Sequence, residues 1–253
     1  LYATQESVKK DIEKNDIEMV YHENFLNIIN GFSGTTTYAE AKEIENLPGV
    51  KSVYIANEYQ RPKPDMSTSV DIINARETWD LGYKGEGLVA AIIDTGIDST
   101  HKDMKLTDNA TAKLNQSDIN GLIASKNLPG KFFTLKVPYG YNYYDNNLEI
   151  RDLGPDATMH GMHVAGTVGA NGDANGIKGV APEIQLLAMK VFGNDPGMAS
   201  TFGDIIIRAI DDSVKLGADV INMSLGSTAS YVLPNDPEQQ AVTNAANAGV
   251  LLS

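Results

Sequence analysis

The apolar positions of this chain follow two patterns that meet near residue 66. In the first sixty residues the patterns are short. Val8 to Lys14 has helical spacing, and Ile17, Met19 and Tyr21 share one face of a predicted strand over 17–21. Residues 25–32 predict a second strand, closed by Gly34. Thr37 predicts an N-cap for a helix over 38–46, with Ala39, Ala41, Ile44 and Leu47 as its buried stripe. Pro48-Gly49 stops that helix ahead of a predicted strand over 50–54. The stretch Gln60-Arg61-Pro62-Lys63-Pro64-Asp65 is polar and proline-rich, and predicts a linker open to proteolytic nicking.

Beyond residue 66 the apolar runs lengthen and stop alternating. Residues 88–93, 184–191 and 220–224 predict strands covered on both faces, as in a parallel sheet flanked by helices. Between the last two runs, Ile206, Ala209, Ile210 and Val214 mark a helix over 202–216 that Gly217 ends. A further helix over 239–248 ends at Gly249. Strand, helix, strand, helix, strand predicts an α/β fold with a doubly wound parallel sheet. Residues 113–156 are polar and irregular but carry Phe132, Phe133, Tyr139, Tyr141, Tyr143 and Tyr144, which predicts an ordered excursion with one or two short strands. The apolar run at 249–253 reads as a core strand just beginning, and Leu1 stands where a Met would open a gene product. The expectation is a fragment at both ends.

Composition narrows the function classes. The net charge of −13 over 253 residues offers nothing to replace phosphate counterions, so nucleic-acid binding is not expected. No Lys/Arg cluster would seek an anionic membrane, and no run of about 18 apolar residues predicts a membrane span. Cysteine is absent, which removes disulfides, thiolate metal sites and a cysteine nucleophile.

Three segments carry candidate chemistry. Asp94 closes the strand 88–93 and opens Asp94-Thr95-Gly96-Ile97-Asp98, at the sheet edge where α/β enzymes place their crevice. A capped turn explains it equally well, and Asp-Thr-Gly also marks aspartic proteases, which need a second copy that a homodimer would have to supply. His160-Gly161-Met162-His163-Val164-Ala165-Gly166-Thr167 reads as a helix with a histidine in its first turn. The helix dipole there favours neutral imidazole, while a buried Asp partner would hold one tautomer, a combination that suits a general base. His160 and His163 share a helical face, but the Glu of a His-Glu-x-x-His zinc motif is absent. Ordinary core histidines remain the bland alternative. Asn222-Met223-Ser224-Leu225-Gly226 leaves a strand for a turn and offers backbone for pairing with an extended peptide.

In order along the chain, the segments 89–98, 160–167, Gly179-Val180-Ala181-Pro182 and 220–226 resemble the subtilase (subtilisin) family. The order Asp before His is the triad order of subtilisin. Gly82-Tyr83-Lys84-Gly85-Glu86-Gly87, His101-Lys102-Asp103-Met104 and the Met of His160-Gly161-Met162-His163 are similar to the Gram-positive cell-envelope proteinases of the lactocepin and C5a peptidase group. Asn30-Gly31-Phe32-Ser33 and Pro48-Gly49-Val50-Lys51-Ser52-Val53 resemble the subtilase propeptide-inhibitor domain, a small ferredoxin-like α+β module whose usual first strand has no counterpart here.

The resemblance implies a propeptide over 1–62, a linker or processing region over 63–70 and the N-terminal portion of a catalytic domain over 71–253. It implies a serine endopeptidase, secreted or cell-wall-associated, acting on extracellular polypeptides and inhibited by its own propeptide. A catalytically inactive homologue with a binding role is the alternative. Asp94 would orient His160, the general base; His163 would be structural and buried. Ser224, Leu225 and Gly226 would pair with substrate, with Gly197 and Met198 on the opposite rim. The family's Gly-Thr-Ser-Met-Ala-like nucleophile segment is not in this chain, so the serine and the oxyanion Asn are expected after Ser253, and the chain alone is expected to be inert. Asp103 matches a family calcium ligand, and Asp173 lies in the oxygen-rich loop 171–176, so Ca²⁺ is an expected accessory that the chemistry does not require.

Overall fold

The computed structural model describes residues 2–61, 73–154, 157–197, 199–226 and 236–253. Met198 and the predicted linker 63–70 lie outside the described residues.

The N-terminal unit opens with α1 (Tyr2–Lys14), followed by β1 (Val20–Phe25), β2 (Gly31–Thr35), α2 (Tyr38–Glu45) and β3 (Glu58–Gln60). Its strands start later than the apolar pattern predicts. Asp16 takes φ +55° after α1 and the Ile17 amide bonds back to the Ile12 carbonyl at 3.2 Å. That helix-ending turn consumes residues 15–17 and buries Ile17 beside Ile12, so the ladder begins only at Val20. Val8, Ile12, Ile17 and Ile44 form the unit's small core. The Thr37 prediction holds: its hydroxyl accepts from the Glu40 amide and the Glu40 carboxylate takes the Thr37 amide, a reciprocal cap. Residues 50–54 join no ladder, whereas β3, which the apolar pattern did not predict and whose last residue, Gln60, opens the predicted linker stretch, is a strand.

The larger unit continues with α3 (Ala75–Asp80), β4 (Val89–Asp94), α4 (Gln116–Lys126) and β5 (Tyr139–Asn142). It goes on through α5 (His160–Gly169), β6 (Gln185–Lys190), β7 (Ser200–Phe202) and α6 (Gly203–Lys215), and closes with β8 (Val220–Asn222), α7 (Pro237–Asn247) and β9 (Leu251–Leu252). Five strands form one parallel sheet in the order β5-β6-β4-β8-β9. Strand β4 is central and buried along its whole length. Ala90 and Ile92 face α5, while Val89, Ala91 and Ile93 face α6 and α7. Both faces are covered, which is why the run does not alternate. Helix α4 was hidden in the polar excursion because its apolar stripe is weak. Its signal is a cap: Asn115 accepts from Ser117 and Asp118 amides while Asp118 answers to the Asn115 amide.

The two units share a core. Phe25 and Ile28 lie in the cluster under α6 and α7, and their surroundings are polar at the edge. The Ile28 amide donates to Asp211 Oδ1 at 2.9 Å, Asn244 Nδ2 donates to the Ile28 carbonyl at 2.5 Å, and Arg208 pairs with Glu23 at 3.1 Å.

One buried cation predicts a pH effect on stability. Lys136 is 2% exposed and donates to the Pro182 and Ile184 carbonyls at 2.8 and 2.5 Å. Burial pushes its ammonium down to about 7, with Glu183 pulling the other way. Below that value both folded and unfolded chains carry the proton, and the folded state bears the full cost of the buried charge. Above it, and up to the ordinary 10.5, only the unfolded chain keeps the proton, so stability rises with pH. Urea midpoints of wild type measured against Lys136→Met are expected to move in favour of wild type between about pH 7 and about pH 9. A difference that stays flat or reverses over that range contradicts the assignment.

Candidate active site

The parallel pairing brings three strand ends to one edge of the sheet. Asp94 lies opposite Lys190 of β6, and Ile92 opposite Asn222 of β8. The segments leaving these strands therefore emerge together, as expected of a crevice at strand carboxyl ends.

Asp94 is 1% exposed, and its Oδ1 accepts from the Thr95 amide at 2.6 Å. His160 Nδ1 lies 2.8 Å from Asp94 Oδ1 and 3.0 Å from Oδ2. A carboxylate only accepts, so Nδ1–H donates and the Nε2 lone pair is left free to take a proton. The start of α5 is fixed from three directions. Met159 sits at φ +53°, its amide bonds to Asp152 Oδ2 at 3.0 Å, and the Gly161 amide bonds to Thr95 Oγ1 at 3.0 Å. Gly161 also lets the helix sit on the turn after β4, for a Cβ there would lie 2.7 Å from the Gly96 amide nitrogen and carbonyl oxygen. Gly96 itself holds φ +129° against the Ile150 carbonyl. Beneath the turn, Lys190 Nζ donates to the Thr95 carbonyl at 2.5 Å, and burial pushes its ammonium down to about 8 while Asp152 pulls it up.

Along the crevice, β3 of the N-terminal unit pairs antiparallel with β7, with Glu58 opposite Phe202, Tyr59 opposite Thr201 and Gln60 opposite Ser200. The ladder extends at both ends, from the Gly203 amide to the Asn57 carbonyl at 2.9 Å and from the Arg61 amide to the Ala199 carbonyl at 2.8 Å. Alternate residues of a strand share a face, and Tyr59 and Arg61 both turn into the larger unit. The Tyr59 hydroxyl donates to Glu238 of α7, and Arg61 pairs with Asp152. Neither was a sequence candidate. Polar residues beside prolines look like a linker, and the only signal was the alternation of Glu58-Tyr59-Gln60-Arg61.

The other expected residues are placed as follows. Ser224 and Gly226 are exposed and Leu225 is half-buried against the core, with Ser224 Oγ donating to Asn222 Oδ1 at 3.0 Å. Gly197 is exposed, its amide on Asp195 Oδ1 at 2.8 Å. His163 was expected to be buried and is exposed, because the face of α5 that packs inward carries Gly161, Ala165 and Gly169, and His163 lies two residues from each of the first two, on the far side of the helix. Asp103 is 3% exposed, accepts from the Ile177 amide at 3.1 Å and holds Lys102 Nζ at 2.9 Å. Asp173 is exposed and pairs instead with Lys105 at 2.6 Å. No cluster of three or more acidic or histidine side chains able to hold a metal occurs among the described residues. Nor is any helix among them long and apolar enough to cross a membrane.

A buried Asp–His pair lies at the carboxyl edge of a doubly wound parallel sheet beside an antiparallel strand, and comparison with known proteins gives the chain a family. The family model described as "Subtilase family" matches residues 85–253, and the chain belongs to that family. A second model, "Peptidase inhibitor I9", matches residues 2–61. The chain is 43% identical over 252 residues to the PI-type proteinase of Lactococcus lactis subsp. cremoris, covering 98% of this chain and 13% of that protein. It is 36% identical over 219 residues to the minor extracellular protease Vpr of Bacillus subtilis (strain 168), covering 78% of this chain and 23% of that protein. The chain thus spans about an eighth to a quarter of these relatives. The fold matches that of fervidolysin from Fervidobacterium pennivorans with a TM-score of 0.64 at 20% identity, covering 97% of this chain and 37% of that one.

Proposed function

We propose that this chain belongs to an extracellular or cell-envelope serine endopeptidase and comprises an inhibitory propeptide over 1–62, a processing region over 63–70 and part of the catalytic domain over 71–253. Asp94 holds the His160 ring in the tautomer that exposes Nε2, and His160 takes the proton of a serine hydroxyl and returns it to the leaving amine. The serine is supplied by chain outside these 253 residues. Among the described residues, His160 Nδ1 on Asp94 is the ring's recorded bond, and Nε2 is free for that partner. Substrate lies extended between two rims, with Ser224, Leu225 and Gly226 on one side and β7 with Gly197 on the other; Met198, outside the described residues, is assigned to substrate binding with Gly197.

The observation that carries the reading is the coincidence of the Asp94–His160 bond with a foreign strand already paired beside it. Beta pairing is how extended peptides dock, so the N-terminal unit occupies the crevice in the manner of a substrate. The test is covalent labelling of the full-length protein by a fluorophosphonate together with hydrolysis of an unstructured polypeptide. Labelling that His160→Ala removes is the expected result; absence of both labelling and hydrolysis overturns the reading.

Calcium is the accessory we propose at the loop 171–176. Hard oxygens converge there on a cation already: Lys102 Nζ touches both Asp103 oxygens and the Asn175 carbonyl. Gly172 and Gly176 leave no room for a Cβ beside the Asp103 carboxylate, which keeps the backbone close to it. Asp103 would hold a divalent ion, with Asp173 joining by leaving Lys105. At about 100 times its Kd, Ca²⁺ would add about 2.7 kcal/mol to stability. The measurement is a thermal scan with Ca²⁺ against chelator: an upward shift of several degrees that Asp103→Asn abolishes is expected, and coincident curves contradict it.

A further inference from the structure

We propose that Asp152, the Gly193 carbonyl and the Phe192 ring form a subsite for a basic side chain of the peptide substrate, and that Arg61 fills it in this structure. The inference rests on the peptidase reading above. Its observations are separate from the Asp94–His160 geometry.

Arg61 continues the strand that β3 lays against β7, so its backbone runs where an extended peptide would run. Its side chain is almost wholly enclosed, with side-chain exposures of 5% for Arg61 and 0% for Asp152. Nη1 donates to Asp152 Oδ1 at 2.7 Å, Nη2 donates to the Gly193 carbonyl at 2.5 Å, and the guanidinium carbon lies 5.7 Å from the centroid of the Phe192 ring. Gly154 completes the wall, since a Cβ there would lie 2.6 Å from Arg61 Nη2.

All four of these wall residues lie within the segment that the subtilase model covers, and only the cation comes from the N-terminal unit. The pocket therefore stays behind when that unit leaves. Asp152 would then keep the Met159 amide on Oδ2 and the field of Lys190, but its Oδ1 would be left facing the crevice without a donor. A buried carboxylate in that state favours a substrate that returns a cation to it and disfavours one that seals it beneath a neutral side chain. The aromatic face of Phe192 adds to the preference for a cation. Among the described residues Arg61 Nε has no partner, so the pocket reads charge and reach rather than the whole guanidinium fork. Lysine is accepted as well as arginine on that account. The position is tied to the chemistry, because the same carboxylate anchors the amide one residue before His160.

The experiment uses the full-length, matured protein and internally quenched peptides varied one upstream position at a time among Arg, Lys, Gln and Met. At one upstream position, Arg and Lys are expected to exceed Gln and Met in kcat/KM by about tenfold or more. Asp152→Asn is expected to bring that ratio close to one and leave the preference profile at the other positions unchanged. Each ratio compares two peptides on one enzyme, so lost folded protein or a misaligned His160 cancels from it. Fluorophosphonate labelling runs alongside. Labelled protein that cleaves with no basic preference, or whose preference survives Asp152→Asn, overturns the subsite and leaves the peptidase standing. Protein that neither labels nor cleaves overturns the peptidase and the subsite with it.

Discussion

Replacing His160 with alanine is expected to lower kcat of the full-length protein by about 10⁶-fold, the scale seen when subtilisin loses its histidine. The ring is the only described group poised at the sheet edge with one nitrogen held by a buried carboxylate and the other free. On the proposed mechanism, the serine hydroxyl would then keep its proton and the leaving amine would have no acid. Asp94→Asn is expected to cost less, about 10⁴-fold, because the amide can hold the ring but favours the wrong tautomer. His163→Ala is the control. That residue is exposed on α5, so its loss is expected to leave both kcat and Tm close to wild type. Steady-state kinetics on the three variants decides the matter. Comparable residual turnover in the His160 and His163 variants would remove His160 from the mechanism.

Gly161→Ala is expected to cost about 10²-fold or more in kcat without removing any functional group. A methyl at this position would lie 2.7 Å from both the nitrogen and the oxygen of Gly96, and 3.0 Å from the Thr95 nitrogen. These are backbone atoms of the turn that also carries Asp94, so they cannot swing aside as a side-chain tip would. The relief available is for α5 to lift off the turn, which lengthens the Gly161–Thr95 bond and draws His160 Nδ1 away from Asp94. Both the alignment and the close packing suffer, so a loss of Tm accompanies the loss of rate. Gly166→Ala on the same helix meets nothing within 4 Å and is expected to be silent in both assays. Equal behaviour of the two alanine variants would show that the contact at Gly161 does not set the geometry of the site.

The sequence reading reached different depths in the two units. In the larger one it located β4, β6, β8, α6 and α7 to within a residue or two. Strands sealed on both faces have no polar positions to blur them, and Gly217 and Gly249, at φ +75° and +94°, end their helices where glycine is the residue that fits. The smaller unit was less legible. Its elements are half-exposed, so a helix-ending turn at Asp16 was enough to shift the strand frame. Helix α4 escaped because it packs through Ile119 and little else that is fully buried.

What the sequence determined by itself was chemistry carried by local runs: an acid closing an apolar strand, a histidine opening a small-residue helix, and the order in which they come. Identity and order are properties of the chain, and the hydrophobic run around each residue decides which element bears it. Only the tertiary structure decided that residues 66 positions apart share a hydrogen bond, that Lys102 and Lys105 divide Asp103 from Asp173, and that Glu58–Gln60, at the edge of the predicted linker, is a strand lying in the crevice. Such pairings are made across the sheet edge by backbone ladders and buried ions, whose energies depend on what else excludes water there, and no local pattern of residues encodes that exclusion.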